Sequence, residues 1–369
     1  MNLQDVEPNR HEDVAKNQHL VPQTYMKAWS YNGNKSVWVL DKEKVSMGWV
    51  SRNIEKINYI NHFHDIMAGD IYTTEDALNE IFGALKDFDI ATEHGKLQSF
   101  EEMNVYFDEF EQWIISDKDG KVLSRKEKNI LKECILQSRY TFIETEWCRQ
   151  YENNWKSFIE TIEYKVRIIK GLEEGTASLN SEDMRLLMTY LLIYDWRCKR
   201  GNSILNSVMQ VLKDALPEIT ELLQPGERIH SFNETIYDEV VHGFRIKVYD
   251  DWLHGRDGVL KKYIEQYLEH LSFDFLLTDD TDPFITSDTP AFMFVNKWGY
   301  NEHILVATPT MLITTISTDD NKKFIVTKAS KEKVLDYNCT IADNADILIS
   351  KQNNIDIGTL LRIEDEGDF

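Results

Sequence analysis

Between Thr74 and about His270 the apolar residues recur mainly at three-to-four spacing; from Phe273 onward they fall into short alternating or continuous blocks. The chain is therefore expected to pass from helix to strand near residue 272. Leu78, Ile81, Phe82 and Leu85 form the first helical stripe. Ile130, Ile135 and Phe142 predict a long helix that runs, with a break, to Ile169 and ends at 170–175. Asn180-Ser-Glu-Asp183 predicts a capped helix start, followed by a buried face of Leu187, Leu191, Tyr194 and Cys198. Val259 to Leu271 closes the helical part. Beyond it, Phe273–Leu277, Phe284–Thr286, Ala291–Val295, His303–Ala307 and Met311–Ser317 read as consecutive strands joined by turns, hence mainly antiparallel. After Phe324-Ile-Val326, Ser330 is expected to cap a helix through Asn338, Ala342 and Ala345, with Ile347-Leu-Ile349 extended after it.

Ahead of the helical part, Pro22 suits the first turn of a helix carrying Tyr25, Met26 and Trp29, which places His19 just before that turn. Ser36–Asp41 alternates like a strand, and Val45–Val50 is expected to pair with it across a turn at Lys42–Lys44. The fold expected is α+β: a large helical body with an N-terminal hairpin and a C-terminal, mainly antiparallel sheet. It is expected as one domain over 17–350, divided into 17–73, 74–271 and 272–350. Residues 1–16 and 364–369 are expected to be flexible ends.

With 369 residues, of which 42% are hydrophobic and 28% charged, the chain can bury a large core. Sixty-three acidic against 41 basic side chains give a formal charge of -22, which argues against a general nucleic-acid surface. Cys134, Cys148, Cys198 and Cys339 form no Cys-x-x-Cys pair, as expected of reduced thiols in the cytoplasm. No apolar run is long enough to span a bilayer and the N-terminus has no signal-like core, so no membrane association is expected.

Candidate chemistry gathers at a few polar positions. In Phe284-Ile-Thr-Ser-Asp-Thr-Pro290, Ser287 and Asp288 interrupt two extended stretches; the carboxylate either caps backbone N–H groups or faces a pocket as a base or ligand. Arg197 adjoins a buried stripe and either snorkels to solvent or holds an anion with its fork; with Lys199 and Arg200 it forms a short basic cluster. Asn61-His-Phe-His-Asp65 invites a metal reading, because alternate strand residues share a face. Spacing fixes no third ligand, His94 being the nearest, and exposed loop histidines explain the motif as well, so no metal site is assigned.

Asn17-Gln-His-Leu-Val-Pro-Gln-Thr-Tyr25 with Trp29, the strand Val39–Lys42, the Phe284–Pro290 element, and Asn338 with Ala342 and Ala345 together resemble the bacterial domain of unknown function DUF4238. The similarity spans roughly Gln18 to Ile349. A Gln-x-x-Arg element of that family corresponds either to Tyr194-Asp-Trp-Arg197, with Tyr in the Gln place, or to Gln137-Ser-Arg139 at altered spacing. The resemblance implies an architecture and a set of polar positions; it implies no activity and no cofactor.

Two functions follow. If His19, Arg197, Ser287, Asp288 and Asn338 line one cleft, His19 and Asp288 would act as general base and orienter, Arg197 as a clamp, and Ser287 and Asn338 as binding groups. That describes a hydrolase or nuclease-like effector, of the kind used in bacterial defence, acting on a phosphate-bearing substrate. Alternatively the same residues form a buried network in a non-catalytic interaction or structural module with protein partners. No Gly-rich phosphate loop, His-Glu-x-x-His or Gly-x-Ser-x-Gly marks a common enzyme class.

Overall fold

A computed structural model describes residues 16–33, 35–171, 179–198, 203–296, 299–317 and 324–363. Residues 1–15, most of the helix stop at 170–175, the basic pair Lys199 and Arg200, and the tail 364–369 lie outside the described residues. The fold is α+β and divides into two units: Met1–Gln18, Asn61–Trp147 and Val208–Asp257 form the first, and His19–Ile60, Cys148–Ser207 and Gly258–Phe369 the second.

In the first unit, Thr74 caps the helix Glu75–Phe82 by accepting from Ala77 N, and the predicted stripe of Leu78, Ile81 and Phe82 is buried. Beside the helices stands a three-stranded antiparallel sheet ordered Gly95–Leu97, Phe88–Thr92, Ile114–Asp117. The helical pattern concealed it, because its strands are short and charged. Ser124 and Glu127 close a capping box on the helix Arg125–Gln137. The long helix expected beyond residue 130 is broken: the first unit holds Arg125–Gln137 and Phe142–Trp147, while the π turn Cys148–Glu152 and the helix Asn153–Gly171 belong to the second.

The second unit holds the predicted C-terminal strands in a five-stranded sheet. Its order is Ala291–Val295, Asn301–Thr308, Met311–Ser317, Leu271–Leu277, Phe324–Lys328, antiparallel except for the last pair. A four-stranded sheet joins distant parts of the chain in the order Val50–Asn53, Ser36–Asp41, Ile347–Ser350, Thr286–Ser287. The predicted hairpin is therefore the edge of a larger sheet. Its second strand is Val50–Asn53 rather than Val45–Val50, because Asp41 accepts from Glu43 N and starts a 3-10 turn over Lys42–Met47 that Gly48 ends at φ +63°. Asn180 and Asp183 cap the helix Ser181–Trp196, and Ser330 caps Lys331–Asp343, as expected. The first of these is buried on nearly every face after its second turn, from Leu187 to Trp196.

Candidate functional site

Within the second unit the predicted motifs meet through Tyr25. Pro22 precedes the short helix Gln23–Met26, and the four-residue step from Tyr25 to Trp29 puts both rings on one fully buried face. The Tyr25 hydroxyl donates to the Val306 carbonyl at 2.5 Å and lies 2.7 Å from Thr286 Oγ1. Since it has one proton, the threonine is the donor in the second contact. Trp29 Nε1 donates to the Phe284 carbonyl at 3.1 Å. The Tyr25 ring packs 5.0 Å from Tyr194 and 5.7 Å from Trp155. Burial holds the hydroxyls of Tyr25 and Tyr194 well above their usual pKa, so both stay protonated donors.

Around this hub each predicted residue has a definite place. Ser287 is buried; its Oγ accepts from Thr289 N at 3.0 Å and donates to the Thr289 carbonyl at 2.9 Å, closing the turn before Pro290. Asp288 is partly exposed, and its Oδ1 accepts from the backbone N–H groups of Asp346 and Ile347 at 3.2 and 3.3 Å. Asn338, 5% exposed, accepts from Ile285 N at 3.0 Å and donates to the Pro283 carbonyl at 3.1 Å. Arg197 is buried and ion-pairs with Glu152. His19 is partly exposed, with Nε2 3.4 Å from Gln23 Nε2 and its ring 5.8 Å from Tyr59. The structure thus brings Ser287, Asp288 and Asn338 to one segment, 283–288. Tyr25, six residues after His19, and Tyr194, three residues before Arg197, pack against each other beside it.

A cavity of about 380 Å³ in the second unit is lined in part by Thr24, Lys27, Trp155, Lys156, Thr310 and Lys351. Within it Lys351 pairs with Asp280 at 2.8 Å, and Thr310 donates to Glu163 at 2.8 Å. In the first unit a depression of about 670 Å³ is lined, among the described residues, by the helix Arg125–Gln137 alone.

The first unit also holds polar groups that the sequence left undervalued. Gln18 donates to Asp65 and accepts from His64 N at 2.5 Å, while His62 Nδ1 lies 2.6 Å from Asp65 Oδ2. His64, expected in an exposed loop, is instead fully buried, with Nδ1 2.9 Å from Glu144. His94, its prospective fellow ligand, instead approaches Glu109 and Glu93 at 3.2 and 3.7 Å on an exposed edge. Further along, His230 Nδ1 lies between Glu239 and Asp70 at 3.2 and 3.4 Å. Burial alone would lower the His230 pKa; the Glu239 hydrogen bond and both carboxylate charges outweigh it and raise it. Burial pushes Asp70 up to about 6 despite the His230 charge. Burial, reinforced by the charges of His230, Arg245 and His64, drives His242 well below its usual value. The signal that would have found these residues is Glu239, His242 and Arg245 at three-residue steps on one helix.

Fold and site together define an α+β protein whose family motifs meet as buried polar contacts in one unit. The chain belongs to the family described as protein of unknown function (DUF4238), which matches residues 17–354. No curated protein and no solved structure gives a match. Among the described residues, no helix is long and apolar enough to cross a membrane.

Proposed function

We propose that the motif residues of the second unit are architectural, and that the chain is a non-catalytic interaction or structural module, cytoplasmic, with protein partners at its acidic surface. The observation that carries this reading is Asn338, whose amide bonds the backbone on both sides of Phe284 and so fixes the segment leading to Ser287 and Asp288. Asp288 fastens the far end of that segment to Asp346 and Ile347, and Arg197 is balanced by Glu152 rather than open to a substrate phosphate. Buried polar groups so satisfied specify one arrangement of strand and helix. Equilibrium unfolding of Asp288→Ala and Asn338→Ala tests it. Asn338→Ala should lose roughly 1–3 kcal/mol, the penalty for leaving buried backbone groups unpaired, and Asp288→Ala, whose bonds lie nearer solvent, roughly 0.5–1.5 kcal/mol. Wild-type stability in both variants would refute the reading.

A second reading, the hydrolase or nuclease-like effector acting on a phosphate-bearing substrate, is favoured by one observation. His19 and Asp288, the two residues assigned catalytic roles, are the two of the five that retain partial exposure. Its test is expression of the intact protein beside His19→Ala, with host growth and RNA integrity followed. Toxicity or RNA loss confined to the intact protein would support it, and identical harmless behaviour would count against it.

A further inference from the structure

On the helix Ile236–Leu253 of the first unit, Glu239, His242 and Arg245 follow at three-residue steps and are 5%, 4% and 7% exposed. They share a face, but only the first is balanced. Glu239 accepts from His230 N at 3.0 Å, from Asn233 Nδ2 at 2.8 Å, and meets His230 Nδ1 at 3.2 Å. His242 has both ring nitrogens buried without a hydrogen-bond partner among the described residues. Its neighbours are rings: His230 at 4.4 Å, Phe232 at 5.2 Å and Phe63 at 5.3 Å. Arg245 lies 5.7 Å from the centre of the Phe63 ring and makes no hydrogen bond or ion pair among the described residues, and its Nε is buried.

A guanidinium that is 7% exposed, with its Nε buried and no counter-ion among the described residues, is a costly arrangement, and a single aromatic face does not offset it. Acidic side chains of the same unit have other partners: Glu239 and Asp70 hold His230, Glu144 approaches His64, and Asp65 binds Gln18 and His62. The unmet capacity is one of donors, a planar fork and an imidazole N–H one turn apart. We propose that Arg245 and His242 form a binding site for a small oxyanion of the phosphate type, either free or as the end group of a small phosphomonoester. The fork would take two oxygens side by side, and the imidazole N–H a third. This site lies in the first unit and is independent of the architectural role proposed for the second.

Thermal unfolding and titration calorimetry at constant ionic strength test the site, with inorganic phosphate, sulfate, glycerol phosphate and acetate as probes. Wild type should show saturable stabilisation by phosphate, with sulfate acting similarly, and a dissociation constant below about 1 mM. Tighter binding of glycerol phosphate would assign the ligand to phosphomonoesters, and equal or weaker binding to the free ion. Arg245→Met should weaken the response at least about tenfold, yet in anion-free buffer it should melt no lower than wild type, because it removes an unbalanced charge. His242→Asn, which retains the arginine, should weaken binding to a smaller degree, and it serves if Arg245→Met does not fold. The proposal is overturned if no tetrahedral anion stabilises wild type saturably, if only acetate does, or if the variants bind phosphate as tightly as wild type.

Discussion

The Tyr25 hydroxyl and Thr286 Oγ1 lie 2.7 Å apart, both on fully buried side chains and 261 residues apart in sequence. That contact joins the two most distinctive motifs of the chain, and Val306 completes it by accepting the tyrosine proton. Tyr25→Phe keeps the ring and leaves both partners unsatisfied. It should lower stability by roughly 1–3 kcal/mol. Urea denaturation should show this as a lower midpoint with an unchanged slope.

Asn338 makes one donated and one accepted bond to backbone, so its two functions can be separated. Asn338→Asp retains an acceptor for Ile285 N and loses the donor to Pro283, whereas Asn338→Leu loses both at similar volume. Both variants should be destabilised by roughly 1–3 kcal/mol, and hydrogen exchange at the Ile285 amide should accelerate more in the leucine variant than in the aspartate variant. Equal protection in the two would place that amide's partner elsewhere.

Arg197 and Glu152 form a pair in which the arginine side chain is 1% exposed and the glutamate 15%. Removing one member leaves the other's charge largely buried. Arg197→Met should cost on the order of 3–5 kcal/mol, and Arg197→Met with Glu152→Gln should recover part of that loss. Thermal denaturation of the single and double variants measures the recovery.

Asp70 gives the first unit a defined pH response. Its carboxyl rises from 3.8 to about 6 in the fold because burial disfavours its charge. A group whose folded pKa is raised contributes fully below the unfolded value, and that contribution is lost as pH climbs through the folded one. At about 1.4 kcal/mol per pH unit, wild type should therefore lose roughly 3 kcal/mol relative to Asp70→Asn between about pH 4 and pH 6. Denaturant melts of the two proteins across that interval give the difference directly. His242 acts in the opposite sense: its depressed pKa destabilises the fold as pH drops below 6.5, and subtracting the two curves removes its contribution, leaving that of Asp70 with its His230 partner.

Local chemistry made much of this fold readable. The caps at Asn180 and Ser330, the buried stripe from Leu187, and the strands after Leu271 all depend on neighbours a few residues away. Contacts between distant segments were not readable. Nothing around Ser36–Asp41 announces that it pairs with Ile347–Ser350, because a strand edge is compatible with many partners. Asp41 misled for a local reason: as a cap it turns the chain into a 3-10 segment where apolar residues alone suggested a second strand. Of the candidate site, Ser287, Asp288 and Asn338 were legible as special positions, but their partners were not. Arg197 looked available for an anion only because Glu152, 45 residues earlier, carries no spacing signal that ties it to the arginine. His64 was undervalued for the same reason, its carboxylate partner lying 80 residues away.

A double-mutant cycle between Tyr25→Phe and Thr286→Val, read by equilibrium unfolding, examines the motif junction most directly. If the two motifs are held together as described, the losses should fail to add, with a coupling of about 0.5–3 kcal/mol. Two folded single variants whose losses add within about 0.3 kcal/mol would contradict an architectural role for this junction.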